Sequence, residues 1–478
     1  MNQINKLLLL LLTVTTVITG CKEEPVPEPT NNDTEKDEAP ALTQKVNQFI
    51  EDVMGDIYLW YDKVPDIDIR YEFDSKEYFN KLLFEEDRWS YITEDIEKLE
   101  NSFEGTETSF GYSLAFGRFS NTDNIFALVE YVYPDTPADQ AGLKRGDILI
   151  MLDNADITDD TYMELLEGDQ ITLTLGVLGE GGISDGKKVT MTSKELQLNP
   201  VLKTKIIEHE GHKIGYMMYA QFIGDYNFGI DTALQRLKDE QVTDLVIDLR
   251  YNPGGGTDAA RHLCSSVAPV SVVDAESQLI KYQWNNKYQQ YWKSTNDSSQ
   301  LGVNFKKRVP VKMGLDKVHI LTGTGTASAS EFTITGLMPY MTVTTIGETT
   351  YGKYTASITM KPEYFYEDEG YYQDFDNWGI QPIVLRYANS MGVTDFKDGF
   401  APDIEIEDDL FAALPLGDKN EPLLKAAIED ITGTTIVAQK SAKINVPDHT
   451  FFDRGFSKFD KNKREMVLDH LDTELLFK

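Results

Sequence analysis

Two serines, Ser328 and Ser330, stand one residue apart in GTASASEFTITGL, Gly325 to Leu337, a run of small side chains that turns acidic and apolar. A serine hydroxyl attacks a carbonyl only when a neighbouring base takes its proton. Histidine is the usual base, and the chain has six, at 209, 212, 262, 319, 449 and 470, none in a Gly-rich or strand-end motif of its own. His319 precedes Ser328 by nine residues, but inside an apolar strand pattern it reads as a satisfied core side chain. A lysine can serve instead where burial lowers its pKa from about 10.4 to about 7 or 8. That shift corresponds to roughly 4 kcal/mol, so the site must be sheltered and held by packing. The candidate is Lys353 in GETTYGK: it follows the apolar strand TVTTIG in a Gly-flanked loop suited to aiming a side chain inward, 25 residues after Ser328. One helix, a turn and one strand fit between them, a path that returns the chain to where it began.

Acyl transfer also needs donors for the oxyanion, and backbone N–H groups at a turn are the usual supply. In DLRYNPGGG the strand Leu245 to Leu249 ends at Arg250, Pro253 fixes φ, and Gly254 to Gly256 let the backbone turn its amides outward. Taken alone, a glycine triplet after a strand is more often just a turn.

Together, DLRYNPGG, GTASASEF and GETTYGK, in that order, resemble the tail-specific or C-terminal processing serine peptidases. The resemblance implies Ser328, three residues before Glu331, as nucleophile and Lys353 as base, with Ser330 beside the nucleophile on the new helix. Glu331 falls in that helix's first turn, where a carboxylate suits the dipole. The family's oxyanion donors carry over to the amides of Gly254 or Gly255 and of Ala329. Many members have a glutamine four residues after the lysine; this chain has Ser357, whose hydroxyl can hold an amine by a hydrogen bond.

FGYSL, comprising Phe110, Gly111, Tyr112, Ser113 and Leu114, precedes TPADQAGLKRGDILI, and the pair resembles a PDZ domain. That implies a loop offering amides to a peptide's C-terminal carboxylate while the peptide adds as a strand, with a helix near Thr158 to Leu166 as the other wall. PIVLRYANSMGVTDFKDGFAPDIEI resembles the region closing the family's catalytic domain, so the likeness runs over roughly residues 42 to 410. The implied protein is a serine endopeptidase with a Ser-Lys pair, acting on unfolded or tail-exposed proteins, with no cofactor and no metal. The alternative is a catalytically weak or inactive peptide-binding envelope lipoprotein on the same fold.

Such a site needs a scaffold, and the pattern supplies an α/β multi-domain one. From Thr43 the residues Val46, Phe49, Ile50, Val53, Met54, Ile57, Tyr58 and Trp60 recur at helical steps, and Asp74 and Glu77 have capping-box spacing. An N-terminal helical segment is expected over 42–104. Strand-rich FGYSLAF, NIFALVEYVY and ITLTLGV place the PDZ-like module at 105–198, with TDDTYMELLEG as a short helix capped by Thr158. From Asn199 strands and helices alternate, which argues an α/β core with mostly parallel pairing over 199–432, of the Clp/crotonase-like kind that the resemblance implies. Residues 433–478 form a C-terminal extension in which KREMVLDHLDTELLF could be a helix.

Composition bounds the partners. With 79 acidic and 45 basic side chains among 478 residues the net charge is −34, a field that repels nucleic acid. The simplest reading is a solvated acidic surface. Cys21 and Cys264 are the only cysteines, so neither a disulfide framework nor a structural zinc is indicated, and Cys264 reads as a small buried residue. Lys6, the run Leu7 to Leu12 and VITGC mark residues 1–20 as a signal peptide, too short an apolar stretch to span a bilayer. Ile18-Thr19-Gly20-Cys21 resembles the bacterial lipobox, which implies acylation at Cys21 and a lipid anchor in the cell envelope, followed by an acidic, Pro-rich tether over 21–41. CKEE resembles export signals of surface lipoproteins, and a homo-oligomer stays open. GETTYGK also falls one residue short of a phosphate-binding loop, since Tyr354 stands where Ser or Thr would hold magnesium.

Overall fold

The computed structural model describes residues 37–122, 124–180, 182–295, 298–436, 446–453 and 466–468, and every count below refers to these. The expected signal peptide and Cys21 lie outside the described residues. Helix α1, Ala41–Asp56, buries Val46, Phe49, Ile50, Val53 and Met54 on one face, as its three- and four-residue spacing dictates. Asp74 caps α2, Ser75–Leu82, its carboxylate accepting from the amides of Lys76 and Glu77 at 2.9 Å.

The next unit is an antiparallel sheet. Strands β1 (Tyr112–Phe119), β2 (Ile125–Val132) and β3 (Ile148–Leu152) are followed by the short helix α3 (Glu164–Glu167) and the long hairpin β4 (Gln170–Gly179) and β5 (Gly182–Thr192). They lie in the order β1-β2-β3-β4-β5. The expected cap at Thr158 is displaced. The chain there turns first, Thr158 accepting from the amides of Thr161 and Tyr162, and α3 opens only at Glu164 without a side-chain cap. A run of Thr and Asp favours such local turns over helix.

In the core, β6 (Val201–His209) and β7 (His212–Tyr219) form a hairpin, then α4 (Asn227–Asp239), β8 (Asp244–Asp248), the two-residue β9 (Gly255–Gly256) and α5 (Thr257–Val267) follow. The chain continues through β10 (Gln278–Trp284), β11 (Gly302–Asn304), β12 (Lys317–Thr322), α6 (Ala329–Leu337), β13 (Thr342–Gly347), β14 (Thr355–Ser357), β15 (Ile383–Asn389), β16 (Ile404–Glu405) and α7 (Pro422–Thr432). One six-stranded sheet, β6-β7-β8-β12-β13-β16, is parallel from β7 onward. The parallel expectation fails in the second sheet, where β14, β15, β10 and β11 pair antiparallel. Helix α6 packs against α5 and against strands of both sheets. Every residue from Ala329 to Leu337 is buried, polar Ser330, Glu331, Thr333 and Thr335 included, so this helix has no solvent face.

Two strands of the C-terminal extension complete the sheets. β17 (His449–Asp453) adds antiparallel to the free edge of β1, and β18 (Met466–Val467) runs parallel between β9 and β14. A helix over KREMVLDHLDTELLF is therefore not what its described part forms. Ladder partners on both sides of Met466–Val467 satisfy backbone groups that a helix would have satisfied internally.

The PDZ-like sheet is tied to the core by a buried charge network. Arg145, in the loop before β3, meets Asp408 at 2.6 Å, the Tyr251 hydroxyl and the Glu130 carbonyl. Arg250, the largest fully buried side chain, binds Glu421 at 2.7 and 2.9 Å and Asp248 at 3.0 Å. The turn that follows β8 is thereby fixed from both domains.

Candidate active site

Ser328 is the N-cap of α6, with φ 60° and ψ −112°. That conformation costs a non-glycine residue about 1–3 kcal/mol and survives only where the surroundings enforce it. Its Oγ is buried and has no hydrogen-bond partner among the described residues. The enforcing contact comes from the turn after β8. Gly254 has φ +111°, and a Cβ there would lie 2.7 Å from Ser328 Cβ and 3.0 Å from Ala329 N, so only glycine lets the two segments approach.

Glu331 joins the serine to the lysine. One carboxylate oxygen accepts from the amides of Ser328 and Lys353, both at 2.8 Å, and the other from Gly352 N and Thr350 Oγ1, both at 2.6 Å. The Tyr387 hydroxyl, on β15, donates to the Lys353 carbonyl at 2.9 Å and reaches the Ser328 carbonyl at 3.2 Å. Two buried side chains thus clamp the backbones at 328 and 353 together. Both residues are fully buried, at 0% exposure. The first-turn position expected of Glu331 is correct, but its partners reach far beyond its own helix. Tyr387 escaped sequence reasoning; its only signal was its place within PIVLRYANS.

Burial pushes the Glu331 carboxyl up to about 7, against the opposing pull of its four donors. Since the folded protein holds this proton more tightly than the ordinary value of 4.5, the group's contribution to stability is full below about pH 4.5 and is lost as pH climbs through about 7. The loss is about 3 kcal/mol. Glu331→Gln removes the titration while leaving an amide facing N–H donors. Urea unfolding at pH 4.5 and pH 8 should therefore show the wild-type advantage over Glu331→Gln shrinking by about 3 kcal/mol at the higher pH. An unchanged difference would show that this carboxyl does not titrate in the window.

The second serine has a structural task. Ser330 Oγ donates to the Asn252 carbonyl at 3.0 Å, pinning α6 to the turn after β8. Asn252 in turn donates to the Tyr219 carbonyl at 2.9 Å, and its Oδ1 accepts from Gly254 N at 2.9 Å. The Gly254 amide is therefore engaged by Asn252. The Ala329 amide, first in α6, donates to no described residue. Gly255 is placed by the bonds of its neighbours to Phe222, with Phe222 N donating to Gly254 O at 2.9 Å and Gly256 N to Phe222 O at 2.8 Å. Ser357 is buried at the end of β14, and its carbonyl accepts from Leu468 N at 3.1 Å.

The phosphate-loop reading of GETTYGK fails on geometry, because the amides of Gly352 and Lys353 point at Glu331. His319 is a satisfied core residue, 2.8 Å from Asp430, and burial lowers its pKa. Cys264 is buried and its thiol pushed up to about 12 by desolvation. Among the described residues, no group of three or more His, Cys, Asp or Glu side chains converges to hold a metal ion.

In the PDZ-like sheet, Phe110, Tyr112, Ser113 and Leu114 are buried. Tyr112 to Leu114 belong to β1 rather than to the loop, with Tyr112 OH donating to the Leu165 carbonyl and Ser113 Oγ to Glu130 at 2.6 Å. Gly111, at φ +81°, donates its amide to Ser109 Oγ at 3.2 Å and packs against Thr136.

Residues 213–406 match the model of peptidase family S41, residues 45–91 the peptidase S41 N-terminal domain, and residues 128–175 a PDZ domain. The fold is a helical N-terminal segment, a PDZ domain and an S41 peptidase core. A Bacteroides fragilis protein described as an S41 protease has a crystal structure 28% identical to this chain, covering 80% of it and 97% of its own length with a TM-score of 0.66. The carboxyl-terminal-processing protease of Synechocystis is 24% identical over 65% of this chain and 66% of its own. The carboxy-terminal-processing protease of Bartonella bacilliformis is 27% identical over 66% of each. The chloroplastic carboxyl-terminal-processing peptidase 2 of Arabidopsis thaliana is 23% identical over 64% of this chain, and the match spans 55% of that relative's length. The S41 core contains Ser328, Lys353, Glu331 and Tyr387, while the PDZ match begins in β2 and ends in β4. Among the described residues, no helix is long and apolar enough to cross a membrane.

Proposed function

We propose that the protein is a serine endopeptidase of the C-terminal processing class, with Ser328 as nucleophile and Lys353 as its base. The carrying observation is the Glu331 carboxylate oxygen shared by the amides of Ser328 and Lys353. Full burial of Lys353 favours a neutral amine, the form that can accept a proton. Ser328 Oγ passes its proton to Nζ as it bonds to the substrate carbonyl carbon. The oxyanion faces the Ala329 amide at the start of α6 and the Gly255 amide. The resulting ammonium protonates the leaving amine, the C–N bond breaks, and water hydrolyses the acyl-enzyme with Lys353 again taking a proton. Ser357, four residues on, is proposed to orient the amine. Because catalytic contacts often tighten only with substrate in place, an Oγ without a partner among the described residues suits the resting enzyme.

The PDZ domain is proposed to recruit unfolded or tail-exposed proteins through Phe110 to Leu114 and β1, and Cys21 to anchor the chain by lipid in the cell envelope. The test is cleavage of a panel of unfolded proteins with apolar C-termini, with products mapped by mass spectrometry. Cleavage is expected. A wild-type chain that binds these substrates and cuts none would favour the peptide-binding alternative.

A further inference from the structure

Two C-terminal strands of this chain pair beside the PDZ-like edge and beside the proposed catalytic residues. A peptide that adds to a PDZ domain lies antiparallel on the free edge of the strand after the loop. β17 lies there, with His449 opposite Phe119, Thr450 opposite Arg118, Phe451 opposite Gly117 and Asp453 opposite Phe116. Antiparallel pairing carries it from the Phe119 end of β1 toward Phe110 to Tyr112, the direction of an arriving tail. Phe452, 40% exposed, lays its ring 6.3 Å from Phe116 and 5.7 Å from Tyr162, with the Arg118 guanidinium 5.7 Å above it. On the other face, Phe451 lies 5.9 Å from Phe126, and His449 lies 4.9 Å from Phe411.

The second strand runs between β9 and β14, beside the proposed oxyanion turn. β18 pairs through Met466 and Val467 with Gly255 and Gly256, which carry the proposed oxyanion turn, and through Val467 with Ser357, just beyond Lys353. Leu468 donates its amide to the Ser357 carbonyl at 3.1 Å and is 2% exposed, in the same apolar cluster as Ala329, Tyr354 and Tyr387.

We propose that the C-terminal strands β17 and β18 are an intramolecular occupant of the PDZ edge and the catalytic slot, which peptide substrates must displace. For its catalytic readout this rests on the peptidase reading above; its binding readout does not. If the slot is open in about one to ten per cent of molecules, apparent affinity falls about 10- to 100-fold below its intrinsic value. Phe452→Asp with Leu468→Pro, in the full chain, removes the ring beside Phe116 and Tyr162 and the Leu468 N–H. In a Ser328→Ala background, a fluorescein-labelled peptide of residues 446–478 should bind this variant about 10- to 100-fold tighter than the unaltered tail allows. With Ser328 intact, kcat/KM on a fluorogenic peptide with an apolar C-terminus should rise by the same factor. As a lock in the opposite sense, Arg118→Cys with Thr450→Cys, opposed in register, should suppress cleavage until reductant is added. Equal affinities, equal kcat/KM and no effect of the lock would overturn the inference while leaving a cleaving enzyme intact. Tighter binding by a variant that cuts nothing would retain the inference and remove the peptidase reading.

Discussion

Ser328→Ala is expected to lower kcat/KM on an unfolded protein substrate by about 10⁴-fold or more, to the level left by substrate binding and oxyanion donors alone. The fold should survive the change. Among the described residues Ser328 Oγ makes no full hydrogen bond, and the Ser328 amide keeps its bond to Glu331. A methyl group also fits the contact with Gly254, since the Cβ is unchanged. Equal thermal unfolding midpoints, retained binding of the tail peptide and lost cleavage are the expected set. Retention of more than about a tenth of wild-type activity would exclude Ser328 as nucleophile.

Lys353→Met replaces the amine with an apolar group of similar length in a fully buried position. A positioned base contributes about 10²- to 10⁴-fold, and kcat is expected to fall by that much with KM little changed. In wild type, kcat/KM should rise with pH as the Lys353 amine loses its proton in the free enzyme. Glu331 titrates near 7 and could produce a similar limb by reshaping the site. The Glu331→Gln variant separates the two: a rise that persists there belongs to the lysine. A flat profile from pH 6 to 9 in a chemistry-limited assay would count against this base.

What could be read from residues alone was the local punctuation. Ser328 at a helix start, Lys353 just past a strand and a glycine turn after Leu249 each follow from short-range rules. Partners fixed by topology were invisible. Glu331 looked like a first-turn acid because three of its four donors come from Thr350, Gly352 and Lys353, brought to it by the parallel crossover from β12 to β13. Tyr387 was hidden for the same reason, its strand joining the site from the second sheet. Gly254 looked free to donate because nothing in DLRYNPGGG shows that Asn252 bends back onto it. The tail was harder still. A mixed, charged segment has no strong period of its own, and Met466–Val467 become a strand only because β9 and β14 leave a place between them.

The most direct test of the central claim is a mass measurement of the acyl-enzyme. The full chain is mixed with an activated peptide ester, quenched within one turnover, digested, and the acylated peptide sequenced by fragmentation. The acyl group should sit on Ser328 in the wild-type chain and be nearly lost from Lys353→Met. An acyl group on any other residue, or rapid turnover with Ser328 replaced by alanine, would contradict the account.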